Sequence, residues 1–224
     1  MPALTINQSS INTIIFDFDG TLAKLNIDFQ EMREAVTEII LSYGVSSEEI
    51  DTHFILEMIN SAYAILSQRS EKQARQFFDQ AQAIIESIET RAALQGELFA
   101  YTKELLISLQ ANKFSCGIIT RNCAKAVQTV FPDIHKYCPV VICRDDVHHV
   151  KPHPEHISLA LARLGASASR TLMIGDHPID IQTGGNAGTK TCGVLTGRCR
   201  KTDFIEAGAD IILDQAADLL KIVK

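Results

Sequence analysis

Six short apolar stretches recur along this chain, and none of them alternates cleanly between apolar and polar residues. One opens at Ile14; the others cover residues 114–120, 140–143, 171–175, 190–195 and 210–213. Clean alternation marks a sheet with one wet face, so its absence predicts strands covered on both faces. Segments of helical periodicity separate them, at 96–111, 124–130, 154–164 and 178–187. The succession predicts an α/β fold, a doubly wound and mainly parallel sheet.

One interval breaks this rhythm. Between Leu22 and Gln95 no strand pattern occurs, and apolar residues return at helical spacing: Met32, Val36, Ile39 and Ile40, then Phe54, Met58, Tyr63 and Ile65, then Phe77, Phe78, Ala81, Ile84, Ile85 and Ile88. About seventy residues is far too long for a plain crossover between neighbouring strands. The chain therefore divides into an α/β core domain of residues 1–22 and 97–224 and an inserted helical subdomain of residues 23–96. Hinges are expected near 23–27 and 95–98. The Met and aromatic residues of the insert read as the core of a small bundle, and Ser46 or Ser47 reads as the start of its second helix.

Composition narrows the function. At 224 residues, 46% hydrophobic and 21% charged, the chain is ordinary globular material with no long uncharged apolar run for a membrane. Its start carries no basic and apolar leader pattern, which leaves a cytoplasmic location as the expectation. A net charge of −6 without a long Lys/Arg run disfavours a nucleic-acid backbone as partner. A small phosphate ester would need only a local positive pocket. The six cysteines include no C-x-x-C pair and read as reduced, packed thiols. His148, His149, His153 and His156 straddle a loop and a helix start with no cysteine nearby, which does not make the closed ligand set of a zinc site.

In doubly wound sheets ligands collect beyond the C-terminal ends of the strands, so the residues standing there carry the argument. After the first strand come Asp17 and Asp19, two carboxylates sent to one side by the alternation of a strand. Like charges held together need a cation or a shared proton, and hard oxygen ligands suit Mg²⁺. Gly20 and Thr21 follow as a turn and a cap. The second strand ends in Thr120-Arg121-Asn122, a hydroxyl and fresh N–H groups suited to an anion, with a plain N-cap as the other reading of Thr120. After the third, Lys151 stands ahead of a helix opened by Pro154, either a point charge for phosphate or a solvated loop lysine. The fourth ends in Asp176, with Asp180 one turn on; both also read as helix-start acids. Four strand ends thus each offer a group that metal-assisted phosphoryl transfer requires.

These segments, in this order and with a helical insert after the first, resemble the haloacid dehalogenase superfamily of aspartyl-nucleophile hydrolases, most of all its phosphoglycolate phosphatase-like branch. The likeness rests on Asp17 to Thr21, on Thr120, on Lys151-Pro152, and on Gly175-Asp176 with Asp180. It implies a nucleophile at Asp17 and an acid/base at Asp19. It implies Mg²⁺ held by Asp17, the Asp19 carbonyl and Asp176, with Asp180 acting through water. Thr120, Lys151 and the backbone near Gly20 and Arg121 would hold the transferring oxygens, and the helical insert would be a cap that selects the leaving group.

The resemblance implies a Mg²⁺-dependent phosphatase for a small monoester such as phosphoglycolate or a sugar phosphate. A phosphomutase would keep every residue named. A phospho-accepting signalling module gains little from a cap, and a catalytically dead scaffold would be expected to lack one of these groups. Haloacid dehalogenation is disfavoured by Asp19, and phosphonate cleavage would need a Schiff-base lysine, for which only Lys72 is available. The chain departs from the branch after Thr21, and Lys24 with Arg33 could favour a substrate bearing a second anionic group.

Overall fold

A computed structural model describes residues 4–52 and 54–223. The chain divides into two compact units, Met1–Leu25 with Gly96–Lys224, and Asn26–Gln95.

Among the described residues the first unit holds ten strands: β1 Leu4–Ile6, β2 Ser9–Ile11, β3 Thr13–Phe16, β4 Ala23–Lys24, β5 Glu97–Leu98, β6 Ser115–Ile119, β7 Val140–Ile142, β8 Thr171–Gly175, β9 Lys190–Val194 and β10 Ile211–Leu213. Six of them form one parallel sheet in the order β10-β9-β8-β3-β6-β7. From β3 the chain runs outward through β6 and β7, then returns to the other side of β3 at β8. The order of winding therefore reverses at β3, where a parallel sheet opens a crevice beyond its strand ends. Ile14, Ile15 and Phe16 have no exposed surface, as expected of a central strand covered on both sides. Phe16 is level with Ile118 on one neighbour and Ile174 on the other.

Two small antiparallel pairs accompany the sheet, β1 with β2 and β4 with β5. Neither is signalled by the sequence pattern. The turn between β1 and β2 places Asn7 at φ 45° and Gln8 at φ 67°, the left-handed geometry that right-twisted hairpins favour.

The second unit contains helices α1 Phe29–Ser42, α2 Ile55–Arg69 and α3 Glu71–Ala93, with a 3₁₀ turn at Ser47–Glu49. Asp28 caps α1 by accepting from the N–H groups of Gln30 and Glu31, and Ser70 caps α3 through Gln73. Met32, Val36, Ile40, Met58, Ala62, Leu66, Phe77, Ala81, Ile85 and Ile88 form the buried face. Phe77 meets Tyr43 edge to face at 5.6 Å. Phe54 does not join this core; it is the N-cap residue of α2 and half exposed. Ser46 caps only the 3₁₀ turn, and α2 starts later, at Ile55.

In the first unit the remaining helices are α4 Thr102–Ala111, α5 Ala124–Val130, α6 Ile134–Tyr137, α7 Pro154–Leu164, α8 Pro178–Asn186 and α9 Lys201–Glu206. Helix α7 packs Ile157 and Ala160 against Ile15, Ile119, Ile142 and Met173 of the sheet. Pro154 opens it and Gly165, at φ 61°, closes it in the left-handed conformation. No described helix is long and apolar enough to cross a membrane. All six cysteines are free thiols, five of them buried.

Candidate active site

Asp17 immediately follows β3, and its N–H donates to the Ile174 carbonyl at 2.8 Å, extending the ladder toward β8 by one residue. Both aspartates at the ends of these neighbouring strands thereby come to one place. Asp17, Asp176 and Asp180 each present a carboxylate oxygen within 4.8 Å of the others, a set that could hold a metal ion. Asp176 does not cap α8; that role falls to His177, whose ring accepts from the Ile179 N–H. The Asp176 carboxylate is thus left for the crevice, cradled by glycines. A Cβ on Gly20 or on Gly197 would overlap it, as one on Gly175 would overlap Asp180.

Lys151 reaches this group although 134 residues separate it from Asp17. Its side chain is 3% exposed and its ammonium pairs with Asp17 Oδ1 and, at 2.7 Å, with Asp180 Oδ1. Burial alone would depress the lysine, but the two carboxylates outweigh it and hold its pKa above the ordinary range. The other Asp180 oxygen accepts from the His177 N–H at 3.1 Å. Both Asp180 oxygens thus accept hydrogen bonds.

The remaining acids hold their protons to unusually high pH. Burial lifts Asp17 to about 6, restrained by Lys151 and reinforced by Asp180. Burial lifts Asp19 to about 7 against a hydrogen bond from the Leu25 N–H, with the charge of Asp17 adding and that of Arg198 opposing. Asp176 reaches about 9 through burial and the charges of Asp17, Asp180 and Asp19. Of these, Asp17 and Asp176 converge with Asp180, and carboxyls this reluctant to ionise together are ones that a hard divalent cation would relieve.

Thr120, buried at the end of β6, donates its N–H to the Ile142 carbonyl at 3.0 Å, and its hydroxyl accepts from the Asn122 N–H at 3.2 Å. It is not the cap of α5, which begins at Ala124 behind Cys123. Asn122 Nδ2 is buried without a partner. Arg121 directs its guanidinium to the Lys151 carbonyl at 2.5 Å. Gly20 stands at φ 81° and its N–H is taken by the Ala23 carbonyl at 2.7 Å. As a donor to substrate oxygens it is therefore committed elsewhere; its part is the close approach to Asp176. Lys24 and Arg33 are exposed, and Lys72 is an exposed residue of α3. Among the histidines, His149, His153 and Glu155 lie together at the surface, while His156 is fully buried.

The loop after β9 joins the site, which the sequence reading did not anticipate. Thr196 donates to the Gly20 carbonyl at 2.5 Å, Gly197 abuts Asp176, and the charge of Arg198 is felt at Asp19. The rule that points to the other four strand ends points equally to Thr196-Gly197-Arg198, just beyond the fifth.

Residues 14–194 match the family model described as haloacid dehalogenase-like hydrolase. The chain belongs to that family. A pyrophosphatase PpaX from Bacillus cereus (strain AH820) is 34% identical to it, over 95% of this chain and 96% of the relative. The solved structure of a hydrolase from Pseudomonas syringae shares the fold with a TM-score of 0.68 at 23% identity, covering 94% of this chain and 96% of the other. That of a predicted phosphoglycolate phosphatase from Haemophilus somnus 129PT does so with a TM-score of 0.63 at 20% identity, covering 95% and 97%. Membership of the haloacid dehalogenase-like hydrolases, with relatives of this kind, makes the chain a phosphoric ester hydrolase.

Proposed function

We propose that this chain is a Mg²⁺-dependent phosphatase that hydrolyses a small phosphorylated metabolite through an aspartyl-phosphate on Asp17. The observation that carries the reading is the pairing of two unlike carboxyls two residues apart. Asp17 is ion-paired to buried Lys151, whereas Asp19, without that pairing, titrates at about 7. A nucleophile must be ionised and an acid/base must sit near working pH; the Lys151 ion pair draws Asp17 toward its ionised form against the burial that lifts both carboxyls.

In the first step a carboxylate oxygen of Asp17 attacks phosphorus, and the bond to the leaving oxygen breaks as Asp19 donates its proton. In the second, Asp19 takes a proton from water, whose oxygen displaces the Asp17 carboxylate and releases inorganic phosphate. Lys151 and Thr120 hold the transferring oxygens, where positioning and charge supply most of the rate. Asp17 and Asp176 would hold Mg²⁺, with Asp180 orienting from behind. Bound there, the ion supplies charge neutralisation between the nucleophile and the phosphoryl group. The helical unit, 26–95, we assign to selection of the leaving group.

The name of the PpaX relatives makes inorganic diphosphate the first substrate to try, beside phosphoglycolate and sugar phosphates. The test is release of phosphate from such a panel with MgCl₂ and with EDTA. Turnover that requires the metal and is lost in Asp17→Asn supports the reading. A single stoichiometric labelling without turnover would overturn it in favour of a phospho-accepting switch, and isomerised sugar phosphate without free phosphate in favour of a mutase.

A further inference from the structure

His156 lies in the first turn of α7 with no exposed surface. Its Nε2 is 3.1 Å from the Ile142 carbonyl, and its Nδ1 is 3.3 Å from the Lys151 N–H. A carbonyl can only accept and an amide N–H can only donate. The ring must therefore be neutral, with its proton on Nε2 and a lone pair on Nδ1.

The same Ile142 carbonyl accepts the N–H of Thr120 at 3.0 Å. One continuous chain of hydrogen bonds results, from Thr120 through Ile142 and His156 to Lys151. The other side of residue 151 is gripped by Arg121, whose guanidinium donates to the Lys151 carbonyl. Both backbone polar groups of the lysine are thus fixed by side chains, one from the helix that follows it and one from the strand end that carries Thr120.

We infer that His156 is a positioning residue, holding Lys151 and Thr120 in mutual register so that ammonium and hydroxyl address the same phosphoryl group; this rests on the function proposed above. Packing alone does not require an imidazole here. A leucine of similar bulk would fill the space but strand the buried Lys151 N–H, whereas a glutamine offers an acceptor and a donor on one planar group and can keep both bonds. The role is therefore distinguishable from mere core filling.

The experiment compares His156→Leu, His156→Gln and, as a control at the next buried position of the same helix, Ile157→Ala. All are assayed well below their melting temperatures, with the substrate on which the wild type turns over. His156→Leu should lower kcat about 10- to 100-fold, the cost of displacing a group beside the reacting centre, with a far smaller change in KM. His156→Gln should recover most of kcat. Ile157→Ala should lose stability yet keep kcat. A folded His156→Leu protein with wild-type kcat, or a folded His156→Gln protein no better than His156→Leu, would overturn the inference. A second arm needs no variant to fold: the ¹⁵N spectrum of the wild-type imidazole at neutral pH should show the proton on Nε2 alone, and a proton on Nδ1 would overturn it. Absence of phosphate release by the wild type would instead strike the proposed function, while the ring spectrum still decides whether the hydrogen-bonded bridge exists.

Discussion

The ammonium of Lys151 lies 2.7 Å from Asp180 Oδ1, with side-chain exposures of only 3% and 2%. Together with Asp17 they form a buried triad in which one positive charge serves two carboxylates. Such a pairing contributes little net stability over an apolar replacement of the whole set, but removal of one member leaves uncompensated charge. Lys151→Met should therefore destabilise the protein by about 3–5 kcal/mol in urea unfolding and abolish most phosphate release. The loss of stability should be smaller at pH 5 than at pH 8, because Asp17, already lifted to about 6 by burial, can take up a proton at the lower pH. A variant as stable as the wild type at pH 8 would contradict this account.

Four members of this neighbourhood, Asp17, Lys151, Asp176 and Asp180, are named by the amino-acid sequence, as is Thr120, because strand ends are where doubly wound sheets place their ligands. The doubly covered strands are legible too, since a buried parallel strand writes its environment as an unbroken apolar run, as Ile14 to Phe16 and Leu172 to Ile174 do. The β1–β2 hairpin is not, since Asn7-Gln8 adopts a left-handed turn without the glycine that usually announces one. The β4–β5 pair is two residues long on each strand, too short for any periodicity. His156 escapes notice because its role depends on the Ile142 carbonyl 14 residues away. Nothing in the spacing of four histidines separates that ring from its exposed neighbours.

The raised carboxyls make stability depend on pH in a definite direction. A group whose folded pKa lies above its unfolded value stabilises most below the unfolded pKa, near 3.8, and that contribution is lost as pH rises through the folded value. For Asp17, Asp19 and Asp176 those values are about 6, 7 and 9. In EDTA these three groups should therefore pull stability down from about pH 4 to about pH 9, most steeply below pH 6 where all three contribute. Mg²⁺ should reverse this, adding about 2.7 kcal/mol at a hundredfold excess over its Kd. The gain in Tm should be larger at pH 8 than at pH 6, because the cation competes with protons for the carboxylates. Equal Mg²⁺ shifts at both pH values would argue against Asp17 and Asp176 as its ligands.

His156 works in the opposite sense. Burial first, then the charges of Lys151 and Arg121, lower its pKa to about 4, against the hydrogen bond to Ile142 and the charge of Asp146. A histidine kept neutral in the fold stabilises fully above its unfolded pKa, near 6.5, and loses that contribution as pH falls toward 4. The loss should amount to on the order of 3 kcal/mol. His156→Gln cannot titrate, so the difference between the two unfolding curves isolates the histidine from the carboxyls. A constant difference from pH 7 to pH 4.5 would contradict the buried neutral ring.

Gly197 gives the most selective test of the loop after β9. A Cβ there would overlap the Asp176 side chain from its carboxylate to its Cβ; the three nearest atoms are all side-chain atoms of that residue. Unlike Gly20, at φ 81°, Gly197 has no left-handed backbone to strain. Gly197→Ala should therefore spare the fold and move one carboxylate, leaving Tm in EDTA within a few degrees of the wild type. The concentration of Mg²⁺ for half-maximal phosphate release should rise about 10- to 100-fold, the usual cost of misplacing a group that orients a metal ligand. Saturating Mg²⁺ should then restore much of the rate, since Asp17, Asp19 and Lys151 are untouched. An unchanged Mg²⁺ requirement would mean that Asp176 holds its place without the glycine cradle, and that the close fit around it serves packing alone.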